Sequence, residues 1–247
     1  MSDEKFKFPT EIIELPSKGL LYPEGHPLAD GKIEMKYMTA KEEDILTNQN
    51  YISKGIVLDK LLQSLIITEF NYNDLLIGDK NAIVIASRIL GYGKDYEFKY
   101  GGETHTVDLS TLENKEIDES LFVERKNEFE FTLPHSNTAI TFQLMTEGLD
   151  KKIEKEIEGI KKVNKLASPE FTTRFKHVVT SVNGDTDPKT IREFVDGYLL
   201  AKDARALREH ISLIQPDINL SVTVETGLGD SEEITVPITL NFFFPDA

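Results

Sequence analysis

Residues 36–67, KYMTAKEEDILTNQNYISKGIVLDKLLQSLII, carry the clearest structural signals in the chain. Thr39 followed three residues later by Glu42 has the spacing of a capping box, in which a hydroxyl and a carboxylate satisfy free amides at a helix start. After a polar break at 48–50, apolar residues recur with the three- and four-residue spacing of a buried helical stripe: Leu58, Leu61, Leu62, Leu65 and Ile66. The stretch therefore predicts two successive helices, at about 40–48 and 54–68, which pack into a core.

The composition is that of a globular protein with a large excess of acidic residues. The 247 residues include 43 Asp and Glu against 28 Lys and Arg, a formal net charge of −15. Because nucleic acids and anionic membrane surfaces are both bound through basic residues, we expect neither as a partner. The chain has no cysteine, which excludes disulfides and thiolate metal sites. The polar start MSDEKFKFPT does not resemble a signal peptide, so we expect the protein to stay in a cytoplasm.

Residues 1–38 are predicted to form an extended N-terminal arm. Four prolines alternate with glycines in this segment, a pattern that disfavours a helix. The arm also carries apolar side chains that need a surface to pack on, namely Leu15, Leu20, Leu21 and Tyr22. Two placements are open, one on the arm's own domain and one on a neighbouring subunit. These four residues are therefore candidate protein-interface residues.

Residues 39–247 are predicted to form an α+β body in which helical segments combine with antiparallel β-hairpins. The successive parts are helices at about 40–90, hairpins at about 95–146, helices at about 147–214 and a C-terminal hairpin at about 218–244. The run 80–90 is apolar nearly all round, which suits a buried helix, although a buried strand is the competing interpretation. The hairpin at 95–109 has alternating aromatic residues before a Gly101-Gly102 turn, a strong hairpin signal.

Three consecutive aromatic residues, Phe242, Phe243 and Phe244, stand just before Pro245. In a strand, successive side chains point to opposite faces, so at least one of the three would face away from a single core. Either a second layer of structure covers that side chain, or the aromatics form a docking patch. They complete the set of candidate protein-interface residues.

Motifs for catalysis and cofactor binding are missing from the sequence. The five histidines are scattered without metal-ligand spacing, and no P-loop, dinucleotide loop or G-x-S-x-G motif occurs. The stretch NGDTDP at 183–188 lacks the later residues of an EF-hand and is better explained as a turn followed by a helix cap. We therefore predict no catalytic, cofactor-binding or metal-binding residues, and no enzymatic activity.

Four stretches, in order along the chain, resemble the baseplate hub subunits and hub assembly proteins of T4-like contractile-tailed phages. They are ELPSKGLLYP at 14–23, MTAKEEDILT with KGIVLDKLL at 38–62, IREFVD through Pro216 at 191–216, and FFFPD at 242–246. Some members of the family carry cysteine pairs in the two hairpins, like zinc knuckles. This chain has Tyr100-Gly101-Gly102 and Thr226-Gly227 at those places, so the resemblance implies no metal here.

The resemblance implies a structural or assembly role in the baseplate hub, performed through contacts with other hub and tail proteins. It implies a location in the virion's tail baseplate, or in the host cytoplasm during assembly. A homo-oligomer is also compatible with the sequence. The alternative function is a transient tail or baseplate assembly chaperone that is absent from the mature virion, whose acidic surface would keep a complex in solution.

Overall fold

The computed structural model describes residues 9–164, 169–225, 230–238 and 240–243. These residues form the α+β fold that the sequence predicts. Eight α-helices lie among them: α1 (Ala40–Leu46), α2 (Gln49–Ser53), α3 (Val57–Leu65), α4 (Ile77–Tyr92), α5 (Glu147–Val163), α6 (Glu170–Val178), α7 (Pro188–Gly197) and α8 (Ala201–Ile214). The strands in the same residues are β1 (Thr10–Glu14), β2 (Lys32–Lys36), β3 (Asp95–Tyr100), β4 (Glu103–Asp108), β5 (Phe129–Thr132), β6 (Ala139–Phe142), β7 (Val179–Val182), β8 (Ser221–Glu225) and β9 (Ser231–Thr235).

The predicted capping box stands at the start of α1. The amide and the hydroxyl of Thr39 donate to Oε2 of Glu42 at 3.0 and 2.6 Å, while Lys36 and Ser64 donate to Oε1 at 2.8 and 2.7 Å. Burial opposes the ionisation of Glu42, but these hydrogen bonds outweigh it and lower its pKa to about 2. Helix α1 is shorter than predicted, because Asn48 caps the separate short helix α2.

Helix α4 lies in the centre of the body and settles the choice between helix and strand at 80–90. Its residues 82–86 are all buried, as the all-round apolar pattern of this run predicts. The helix begins at Ile77, three residues before the predicted start, and passes close to the chain after α8. A Cβ atom on Gly78 would lie 1.8 Å from the carbonyl oxygen of Pro216, so only glycine allows this approach.

The strands form small antiparallel sheets, ordered β1-β2, β3-β4, β5-β6-β7 and β8-β9. Gly101 and Gly102 turn the chain between β3 and β4 with φ values of 60° and 90°, as the sequence predicts. The predicted hairpin at 127–146 becomes β5-β6, and β7 joins it as a third strand through pairs such as Ile140 with Val182. The turn between β8 and β9 lies outside the described residues.

The N-terminal segment differs from the predicted extended arm. Residues 10–14 and 32–36 pair as β1-β2, and the chain after α3 adds to the other side of β2, where the amide of Ile67 donates to the Glu34 carbonyl at 2.9 Å. The 15–31 connection folds as a series of turns on the body. The segment therefore lies on its own domain, since its buried apolar side chains contribute to the same core cluster as those of α3 and α4.

No helix in the described segments is long and apolar enough to cross a bilayer.

Candidate protein-binding surfaces

The arm residues that were candidate interface residues belong to the core. Leu15, Leu21 and Tyr22 are buried, and Leu20 is half-buried against the same cluster. Of the two placements left open by the sequence, the arm has the one on its own domain, and this corrects the assignment of these four residues as a protein interface. The physical reason is that the arm's turns bring Ser17 and Tyr22 onto Asp79 of α4, so the apolar side chains next to them in the arm pack into the common core cluster.

A buried carboxylate fastens the arm to α4. Oδ1 of Asp79 accepts from the Ser17 amide at 2.9 Å, and its Oδ2 accepts from the hydroxyls of Ser17 and Tyr22 at 2.7 and 2.8 Å. Burial raises the pKa of Asp79. Because every partner is a neutral group of the chain itself, this cluster stabilises the fold and leaves no polar atom directed at a ligand.

The C-terminal aromatics are corrected in the same way. Residues Leu240–Phe243 form a 3-10 turn rather than a strand, and this geometry lets Phe242 and Phe243 both be buried. The ring of Phe242 lies edge-on to Tyr96, with 4.8 Å between centroids, and 5.2 Å from Phe243. Phe244 lies outside the described residues. The two described phenylalanines thus close the core over β3 and are not a docking patch.

The strongest cluster of charged side chains joins α3, α4 and α5. Lys80 contacts both Asp59, at 2.7 Å, and Glu147, and Lys151 contacts the same two carboxylates at 3.0 and 3.1 Å. Burial lowers the pKa of Lys80, but its two carboxylate partners outweigh burial and raise it. Two cations and two anions satisfy one another, so the cluster has no free acid or base for catalysis.

Large exposed apolar side chains occur elsewhere, and none of them was a candidate from the sequence. The most notable pair is Leu121 and Val123, whose side chains are 48% and 79% exposed. They flank Phe122, which is buried and holds the loop by an edge-on contact with Phe129 at 5.8 Å between centroids. The sequence shows only three consecutive apolar residues at 121–123, LFV, and this run does not indicate which of them is buried.

Leu121 and Val123 border a cleft of about 520 Å³ between the 120–130 loop and α8. Three carboxylates line it, those of Glu124, Glu128 and Glu130, together with the basic side chains of Lys126 and His210. Lys126 is bound to Glu124 at 3.0 Å, which leaves the cleft with an acidic character. We call this surface the acidic cleft, and its lining residues are 120–124, Lys126, 128–130, His210 and Ile214. Exposed apolar side chains beside unneutralised carboxylates suit a basic, partly apolar protein segment.

A second exposed apolar surface lies on the outer face of the β1-β2 sheet. Ile12 is paired with Glu34, and Ile67 follows Glu34 on the other side of β2, so these three side chains form a row. Ile12 is 65% exposed and Ile67 42%. The two adjacent isoleucines of TEIIE could have indicated this surface from the sequence. Successive side chains of a strand point to opposite faces, so only one of the two isoleucines can face the core.

Among the described residues, no group of three or more histidine, aspartate or glutamate side chains is arranged to hold a metal ion. Comparisons of the chain with protein-family models, with curated proteins and with solved structures found no match.

Proposed function

We propose that this chain is a non-enzymatic structural or assembly protein of the baseplate hub of a T4-like contractile-tailed phage. The structural observation that carries the proposal is the acidic cleft, where Leu121 and Val123 are exposed on a loop that Phe122 anchors in the core. The four ordered stretches of sequence resemblance supply the biological context. The protein acts through protein–protein contacts, and its partners are other hub and tail proteins.

The chemistry of the cleft favours a protein partner over a small molecule. Its apolar side chains stand out from the surface rather than enclosing a pocket, and its carboxylates are spread along the loop and β5. A partner segment that covers Leu121 and Val123 would gain about 1.5–3 kcal/mol for each large apolar side chain that is fully removed from water. Basic residues on that segment would pair with the carboxylates and select the partner.

Co-expression of the chain with each of the other hub proteins of its phage tests the proposal. We expect one of them to co-purify, and we expect Leu121→Ser with Val123→Ser to reduce that co-purification at least tenfold. The matched control is Val163→Ser, which changes a side chain that is 91% exposed at the end of α5 and should leave the complex intact. Absence of a complex with every hub protein would refute the proposed function.

Quantitative mass spectrometry of purified phage particles separates a structural subunit from an assembly factor. A fixed copy number per particle would place the protein in the tail baseplate as a hub subunit. Presence in the infected-cell lysate together with absence from particles would favour the alternative, a transient assembly chaperone in the host cytoplasm.

A further inference from the structure

The outer edge of β1 offers unpaired backbone groups. The amide of Tyr37 donates to the Pro9 carbonyl at 3.2 Å, and the amide of Leu15 donates to the Gly31 carbonyl at 2.8 Å. The backbone amides and carbonyls of the odd-numbered residues of this strand therefore point towards β2. Because the pattern alternates in an antiparallel ladder, the amides and carbonyls of Thr10, Ile12 and Glu14 point the opposite way. Within the described segments, no strand pairs with that side of β1.

An apolar groove of about 390 Å³ runs beside this open edge. Its floor is the face of α4 that carries Ala82, Ile85, Ala86 and Ile89, and β1 contributes Ile13 and Glu14. The segment 109–114, together with Ile218, forms the opposite wall. No residue of β2 lines the groove, so it lies on the free side of β1. We call this feature the edge groove.

A single strand suits the edge groove better than a second copy of this chain. An added strand needs backbone groups to pair with and a surface for its alternate side chains, and the open edge of β1 and the apolar floor of the groove supply these two features. A second copy of this chain would bring two acidic surfaces together, because each chain has a formal net charge of −15, and like-charge repulsion disfavours that pairing.

The charges around the groove indicate what kind of segment fits. Glu14 and Glu113 are the charged residues of the lining, both are exposed, and no lysine or arginine lines the groove. Natural proteins protect open edges with charged side chains, prolines or bulges, and in β1 (TEIIE) the charged side chains are the glutamates Glu11 and Glu14, which a basic strand would neutralise. The edge is therefore compatible with addition of a strand that is apolar on its groove face and basic on its other face.

We propose that β1 and the edge groove accept an extended segment of a partner protein, which adds to the β1-β2 sheet as an antiparallel strand. Apolar side chains at alternate positions enter the groove, and basic side chains at the positions between them lie beside Thr10, Ile12 and Glu14. This inference rests on the proposed function in that it specifies the kind of partner contact. Its test uses a peptide alone, so it can fail while the hub complexes still form, and the reverse also holds.

The geometry makes a sharp prediction for a synthetic probe, the acetylated and amidated peptide KVKVKVK carrying a fluorophore. Directly opposed residues of an antiparallel pair share a face, so peptide residues opposite Ile12 are lysines, and their backbone groups bond to β1. N-methylation of the lysines therefore removes the hydrogen bonds to β1. N-methylation of the valines changes amides that point away from β1 and serves as the matched control.

Fluorescence anisotropy with the full-length chain, at low salt, measures binding of the three peptides. We expect the unmodified and valine-methylated peptides to bind alike, and the lysine-methylated peptide to bind at least tenfold more weakly. Absence of binding by the unmodified peptide, or equal binding by all three, would overturn the proposal. Loss on valine methylation alone would indicate a parallel strand and overturn the antiparallel register.

Charge reversal in the chain supplies an independent test. Glu14→Lys with Glu113→Lys should weaken binding of the unmodified peptide roughly tenfold at low salt, because two attractive charges become repulsive. Both residues are exposed, so the fold should tolerate the change. Glu158→Lys with Glu193→Lys makes the same change in net charge on α5 and α7. Equal weakening by both double variants would show non-specific electrostatic attraction and overturn the proposal.

Discussion

The hydroxyl of Tyr22 donates a hydrogen bond to Oδ2 of Asp79 at 2.8 Å across 57 positions of sequence, and also accepts one from the Leu76 amide at 3.1 Å. Together with the two bonds from Ser17, this contact locks the turn of the N-terminal segment onto the first turn of α4. The polar groups of the turn are satisfied inside the protein, which is why its apolar residues can be buried there.

Asp79→Ala should lower the free energy of unfolding by about 2–4 kcal/mol, because it leaves the Ser17 and Tyr22 donors buried without an acceptor. Asp79→Asn keeps one carbonyl oxygen and the size of the side chain, so we expect a smaller loss. Urea unfolding followed by circular dichroism measures both. Equal stability of Asp79→Ala and the original chain would show that the buried contact contributes nothing.

Phe242→Ala and Phe243→Ala should each lower the free energy of unfolding by about 3–5 kcal/mol, the usual result of removing a buried aromatic ring. The matched control is Phe171→Ala, which removes a ring that is 65% exposed and lies 4.9 Å from the Arg208 guanidinium carbon. Losing that contact should lower the free energy of unfolding by no more than about 1 kcal/mol. Thermal unfolding distinguishes the two classes, and similar melting temperatures for all three variants would contradict the burial of the C-terminal aromatics.

Lys80→Met should destabilise the protein by about 3–5 kcal/mol, because it leaves Asp59 and Glu147 largely buried with Lys151 as their remaining cation. Lys151→Met affects the same carboxylates, but the Lys151 side chain is 41% exposed, so water can replace part of what is lost. We expect Lys151→Met to lose less than half as much free energy of unfolding as Lys80→Met. Chemical denaturation of the two variants side by side provides the comparison, and the reverse order would contradict this description of the network.

Glu42 should make the stability of the protein depend on pH in the acidic range. Its pKa is about 2 in the folded chain against an ordinary value of 4.5, so the ionised form favours folding. This contribution, at most about 3 kcal/mol, is fully present above pH 4.5 and is lost as the pH falls towards 2. Unfolding measurements between pH 2 and 7 should show a stability gap between the original chain and Glu42→Gln that narrows as the pH falls. A gap independent of pH would contradict the lowered pKa.

Short-range patterns in the sequence predicted most of the elements correctly. The capping box at Thr39 and Glu42, the Gly101-Gly102 turn and the Asp187 cap of α7, whose carboxylate accepts from the Lys189 amide at 3.0 Å, all have their predicted roles. Each depends on residues only a few positions apart, so the local sequence contains the whole interaction. Asp203 was different. It lies within α8, which begins at Ala201, and its carboxylate accepts from the amides of His135 and Ser136 at 2.8 and 3.0 Å, partners that are far away in the sequence.

The sequence by itself determined the α+β class, the order of the elements, the acidic charge and the absence of cysteine chemistry, because these follow from composition and from local periodicity. Only the tertiary structure decided which apolar residues are accessible. In the sequence, Tyr22 and Phe242 are apolar residues without an evident partner. In the structure, Tyr22 contacts Asp79 and Phe242 contacts Tyr96, and both partners are far away in the chain. Burial depends on partners that are distant in sequence, and so does the open edge of β1. For that reason the candidate surfaces are the acidic cleft and the edge groove rather than the apolar residues that the sequence indicated near the two ends of the chain.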